Sequence, residues 1–275
     1  MPIQTQTVRF GPDLKYSGLL ATPFHPVEAR PLPAVLLIQE AWGVDGHIQD
    51  LAHRFAGAGY VVLAPDLFAE GGVRRKGLEP DRVEEAKNFM DSLPSGAWMD
   101  PERRKQALDA TEAAKAARVS GTMDTIFGGI QKDRDFHIAA IESAAAWLRK
   151  DNEATRGGLL ASVGFCMGGS LSGQLAARDP ALAGAVIFYG QAPEPGQAAS
   201  LACPVLGLYG ENDPRTNASV APFEGAMRAA GKDVEIHMLT GAGHAFLNDT
   251  RPSFHAAAAR EATARTLGFL NKVLG

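Results

Sequence analysis

The chain has 275 residues, 45% of them hydrophobic, enough for one large or two small domains with a substantial core. Its formal net charge of -4 comes from interspersed signs and gives no basic footprint, which argues against nucleic acid as a partner. No stretch approaches the roughly 18 consecutive apolar residues of a membrane helix, and two cysteines cannot build a disulfide framework.

The opening MPIQTQTVRF has neither the basic start nor the apolar stretch of a secretory signal, so the expectation is a cytoplasmic protein with both thiols reduced. Alternating side chains predict strands over Gln6–Phe10 and Leu14–Ala21. The run PAVLLIQE, Pro33–Glu40, is continuously apolar between polar bounds, as suits a strand buried on both faces. A helical period from His47 to Ala58 ends at Gly59, a C-cap residue, and YVVLAPDLF supplies the next buried strand.

Residues 71–132 break this rhythm: they are charged and Ala-rich, and predict helices near Asp81–Ser92 and Pro101–Arg118 laid over a sheet edge. We read them as a helical insertion in a single domain spanning 1–275. A helix over Asp133–Lys150 then precedes a strand over Leu159–Gly164. The runs AVIFYG, PVLGLYG and VEIHMLTG alternate with helices near Leu171–Ala177 and Ser219–Ala230, and a last helix covers Pro252–Val273. Alternating strands and helices without repeats predict an α/β fold, a doubly wound and mostly parallel sheet flanked by helices. Ligands bind such sheets beyond the carboxyl ends of the strands.

Cys166 sits between Gly164 and Gly168 in GFCMGG, where a predicted strand meets a predicted helix. Small neighbours let the backbone turn sharply, and a strained elbow would present the thiol to the crevice. The positive end of the following helix and a nearby imidazolium would favour the thiolate. The amide of Met167 would face a developing oxyanion, with a second donor from Ala41 after an early strand. The bland alternative is a small buried hydrophobe, the usual fate of a free cysteine. Asp213 in LYGENDP and His244 in LTGAGHAF follow, each just beyond a predicted strand, although Asp213 could equally cap a turn and His244 lie idle in a loop. Taken jointly, Cys, Asp and His come in the α/β-hydrolase order. Trp42, beside Ala41, is either a pocket wall or a core aromatic. Cys203 reads as a structural thiol, His137 as a helix residue facing the sheet, and His237 as a strand residue. No HExxH or paired i, i+4 histidines occur, so no metal and no cofactor are expected.

The stretch Gln39–Phe68 together with GFCMGG, GENDP and GAGHAFLND resembles the dienelactone hydrolase family. The resemblance implies an α/β-hydrolase fold and a hydrolase of lactones or small carboxylic esters, with Cys166, Asp213 and His244 as triad and a thioester acyl-enzyme. It also implies a role for Glu40: in the family this glutamate contacts the resting thiol and takes its proton when substrate binds. Two arginines clamp the substrate carboxylate in studied members, one of them four residues after the histidine, where this chain has Asn248. Arg74, Arg75 and Arg82 are candidates for the other. The segment from about Ser95 to Lys132 is longer than the family minimum. The expected partner is a small ester or lactone, with no nucleic acid or membrane and the oligomeric state open. The alternatives are a general short-chain carboxylesterase and a non-catalytic ligand carrier; a glutamine amidotransferase would need an H-x-E motif that is absent.

Overall fold

In the computed structural model the described residues are 3–23, 31–94, 96–97 and 100–275. Met1 and Pro2 of the opening stretch and Ser95, the expected start of the longer segment, lie outside them. The chain begins with an antiparallel pair, β1 (Ile3–Phe10) and β2 (Tyr16–Pro23). The second strand starts two residues later than its alternation suggested, because Pro12–Leu14 closes a 3-10 turn with Asp13 and Leu14 at positive φ. Then come β3 (Ala34–Ile38), α1 (Gly46–Gly57) and β4 (Val61–Pro65), with Asp45 capping α1 by accepting from the Ile48 amide.

A two-stranded hairpin follows, β5 (Ala69–Glu70) and β6 (Val73–Arg74), and then α2 (Pro80–Asp91), α3 (Pro101–Asp109) and α4 (Ala113–Lys132). The single helix expected over Pro101–Arg118 is broken, since the Glu112 side chain caps a new start on the amides of Ala114 and Lys115. This insertion does not cover a sheet edge. Its apolar faces, through Val83, Ala86, Val119, Met123 and Ile126, pack on Ala41, Trp42 and Phe68, just past β3 and β4. The insertion therefore lies across the crevice end of the sheet.

The remainder alternates as α5 (Arg134–Lys150), β7 (Leu160–Phe165), α6 (Met167–Arg178), β8 (Gly184–Phe188), β9 (Val205–Gly210), the single turn α7 (Pro214–Asn217), α8 (Val220–Ala229), β10 (Val234–Leu239) and α9 (Ala256–Leu274). The last helix starts at Ala256 because the His255 ring caps it, accepting from the Ala258 amide. Eight strands form one sheet in the order β1-β2-β4-β3-β7-β8-β9-β10. From β4 to β10 all neighbours are parallel, and β1 and β2 are antiparallel. Period-2 alternation splits the core: Leu36 and Ile38 face α5 and α6, whereas Val35 and Leu37 face α1 and α9. The strand order reverses between β3 and β7, and the crevice beyond that switch point is where such sheets bind ligands.

Candidate active site

β7 ends at Phe165 and α6 begins at Met167, so Cys166 alone makes the turn, at φ 54° and ψ -116°. An L residue at positive φ carries strain of about 1–3 kcal/mol, which the surroundings must enforce. They do so by close approach: a Cβ on Gly164 would collide with the Gly168 carbonyl, and one on Gly168 with the carbonyls of Ile38 and Gln39. The Cys166 amide is anchored on the Phe188 carbonyl of β8 at 3.0 Å. Tyr189 and Ala245, after β8 and beyond β10, also hold positive φ without being glycine. Strain thus gathers at the carboxyl ends of these strands.

Asp213 follows β9 and His244 follows β10. The His244 Nδ1 donates to Asp213 Oδ2 at 2.6 Å, and its Nε2 lies 3.2 Å from Cys166 Sγ. Burial pushes the Asp213 carboxyl up, but the hydrogen bonds from His244 and from Thr216 outweigh it and hold the group below its ordinary value. Burial likewise pulls the His244 imidazole down, and the adjoining Cys166 sulfur and Asp213 carboxylate lift it instead, to about 10. Its side chain keeps 42% of its surface open, so water tempers that field.

Glu40, just past β3, is 2% exposed. Its Oε1 accepts from the Tyr189 hydroxyl at 2.9 Å and its Oε2 from Asn248 Nδ2 at 2.8 Å. Asn248 is fully buried, and its Oδ1 accepts from the amide and hydroxyl of Thr250. Asn248 therefore braces Glu40 from within rather than facing a substrate, a correction to its reading as a substrate contact. Tyr189 was not anticipated; burial and the neighbouring Glu40 raise its phenol well above the ordinary value, so it stays a donor.

The three candidate arginines serve as struts. Arg74 pairs with Asp66 at 2.7 Å, Arg75 with Asp133 at 2.6 Å, and Arg82 reaches Thr122 Oγ1 and the Arg118 carbonyl on α4. Only Arg75 among them lines the narrow cleft that Ala41 and Met167 share with Phe68 and Ile126. Trp42 is a core aromatic beneath the insertion, 3% exposed and edge-on to Phe127 of α4. Over its ring, 5.2 Å away, sits a residue the sequence reading passed over, Arg251. Its Nε and Nη2 grip Asp91 at the end of α2, and its charge acts on both Glu40 and Cys166. The available signal was a cation seven residues after His244. Cys203 is buried and His237 lies in β10 beside Glu235, while His137, buried on α5, lines the same narrow cleft as Ala41 and Met167. Among the described residues no group of three or more His, Cys, Asp or Glu side chains is placed to hold a metal ion.

The model of the dienelactone hydrolase family matches residues 17–274. The chain belongs to the dienelactone hydrolase family. Two similar proteins, each called "Putative carboxymethylenebutenolidase", come from Saccharolobus solfataricus and Escherichia coli K12. The first is 32% identical over 94% of this chain and 95% of its own length. The second is 31% identical over 89% of this chain and 79% of its own. The crystal structure of a "Putative Dienelactone Hydrolase" from Klebsiella pneumoniae superposes with a TM-score of 0.65 at 27% identity, covering 98% of both chains. The fold is that of the α/β-hydrolases, and this dienelactone hydrolase family member is a hydrolase acting on ester or lactone bonds of small molecules. No helix among its described residues is long and apolar enough to cross a membrane.

Proposed function

We propose that the protein opens lactones or small carboxylic esters with Cys166 as nucleophile, through a thioester acyl-enzyme. The observation that carries this reading is the unbroken row from Asp213 Oδ2 through the His244 ring to Cys166 Sγ, at 2.6 and 3.2 Å, on an elbow where Cys166 holds a positive φ. The thiolate attacks the carbonyl carbon, and the amides of Met167 and Ala41 receive the oxyanion. His244 gives its proton to the departing alkoxide, which leaves as the alcohol limb. It then takes a proton from water as that water attacks the thioester, releasing the acid and restoring the sulfur.

Glu40 is given the part the resemblance implies, taking the proton of the resting thiol when substrate binds. The hydroxyl of Tyr189 and the amide of Asn248 hold both of its carboxylate oxygens in place beforehand. Arg251 acts on Cys166 and Glu40 through its charge, while its hydrogen-bonding face is committed to Asp91.

Replacing Cys166 by Ala is expected to lower kcat at least about 1,000-fold on short-chain esters and lactones, with the fold intact by circular dichroism. In His244→Ala the intact-mass spectrum should show an acyl adduct on Cys166 after exposure to an activated ester. Full turnover in Cys166→Ala would remove the reading.

A further inference from the structure

Beside Met167 lies a second space that acyl transfer does not use. A cavity of about 320 Å³ opens between α5, the first turns of α6 and the segment after β8, rimmed by the carboxamides of Gln131, Gln174, Gln191 and Gln197. His137 of α5 lines it, and lines as well the narrow cleft shared by Ala41 and Met167. The side chain of His137 is 2% exposed, yet its Nε2 has no hydrogen-bond partner among the described residues. Buried polar atoms are nearly always paired, so an orphan nitrogen on a residue that lines a cavity points to a partner that arrives with a ligand.

The chemistry of the wall narrows what that ligand is. Burial, aided by the Arg75 guanidinium, lowers His137 to about 4, so the ring is uncharged near neutral pH. A neutral imidazole nitrogen either donates or accepts according to tautomer, and a hydroxyl can answer both. The Gln174 carbonyl is taken by Arg134 Nε and that of Gln197 by the Glu194 amide, so both turn amide donors to the rim. The charges at the mouth, Arg134 and Glu194, are of opposite sign and favour no net charge.

We propose that this cavity is a subsite for an uncharged, hydroxyl-bearing arm of the substrate, with His137 as its specificity-determining residue. The proposal rests on the ester hydrolysis argued above, since Met167 is common to the cavity and to the oxyanion pair.

The test compares kcat/KM within two pairs of esters of like skeleton: glyceryl monobutyrate against propyl butyrate, and methyl dihydroxybutanoate against methyl butanoate. The protein is expected to prefer the hydroxylated member of at least one pair by about tenfold, the worth of one good buried hydrogen bond. His137→Leu should bring that ratio near one, His137→Asn, which keeps a polar end, should restore part of it, and Gln191→Ala should reduce it severalfold. Gln191 is exposed, so its variant decides the matter if His137→Leu fails to fold. Equal kcat/KM within both pairs, or a preference untouched in both His137→Leu and Gln191→Ala, overturns the subsite. If no ester is turned over, calorimetry on Cys166→Ala separates the two readings. Binding of glyceryl monobutyrate but not propyl butyrate would keep the subsite and discard the hydrolysis, and binding of neither would discard both.

Discussion

At the scale of single residues, the two thiols of this chain differ in what surrounds them. Cys203 is buried, and burial pushes its thiol up to about 11, whereas Cys166 lies 3.2 Å from an imidazole held protonated. Thiolate is the reactive form, so iodoacetamide near pH 7 should label Cys166 and spare Cys203, as peptide mass mapping would show. Labelling of both at similar rates would contradict the assigned surroundings. The His244 shift also ties stability to pH with a definite sign. Its folded pKa is raised, so its contribution is complete below the ordinary imidazole value near 6.5 and is lost as pH climbs through about 10. Asp213, held low, contributes above the ordinary carboxylate range and ceases to do so in acid. The melting temperature of the protein relative to His244→Ala should therefore be most favourable between about pH 5 and 6.5 and shrink toward pH 10. Cys166, Asp213 and His244 were legible because each stands at the end of a recognisable strand beside small or turn-forming residues. Tyr189 and Arg251 were not, because what they do is done through space, to Glu40 and to Asp91, with no local pattern to announce it.

At the scale of elements, α2 is held by two ion pairs one turn apart. Lys87 reaches Asp45 at the head of α1, at 2.8 Å with both side chains nearly buried, and Asp91 grips Arg251 of the segment that follows His244. Removing one partner of a pair this enclosed strands the other, so Asp91→Ala is expected to cost about 3 kcal/mol in urea unfolding. It should also lower kcat, since the freed segment carries His244 and Asn248. A double-mutant cycle with Arg251→Met checks that both effects come from the one pair. The elbow offers a sharper case. In Gly168→Ala the added methyl meets the carbonyls of Ile38 and Gln39, rigid backbone of the neighbouring strand end, so the turn must open. Activity should fall with the geometry, and stability by about 3 kcal/mol, measurable by thermal melting. The sequence pattern disclosed α1, α5 and the parallel strands because one hydrophobic period ran through each. It hid the break between α3 and α4, where a glutamate cap interrupts a stretch of uniformly good helix formers.

At the scale of the molecule, the sheet core is buried on both faces while α3 buries no residue fully. Hydrogen exchange followed by mass spectrometry should accordingly find α3 among the fastest helices to exchange and β3 and β7 among the slowest segments, and protection of α3 equal to that of β7 would contradict this division. The doubly wound order could be read from the alternation of apolar runs and helical periods. The seat of the insertion could not, because Trp42 and Phe68 look the same in sequence whether they face helices or solvent.

The fastening of α2 also fixes where this scaffold tolerates remodelling. Upstream of Asp91 any change of length pulls on the segment that follows His244 and on α1 at once. Downstream, α3 buries no residue fully and meets the Ala41 and Trp42 cluster through half-buried Leu108, so a foreign loop in its place should be felt least at the sulfur. A designer seeking new substrates would graft there and leave the fastened helix alone.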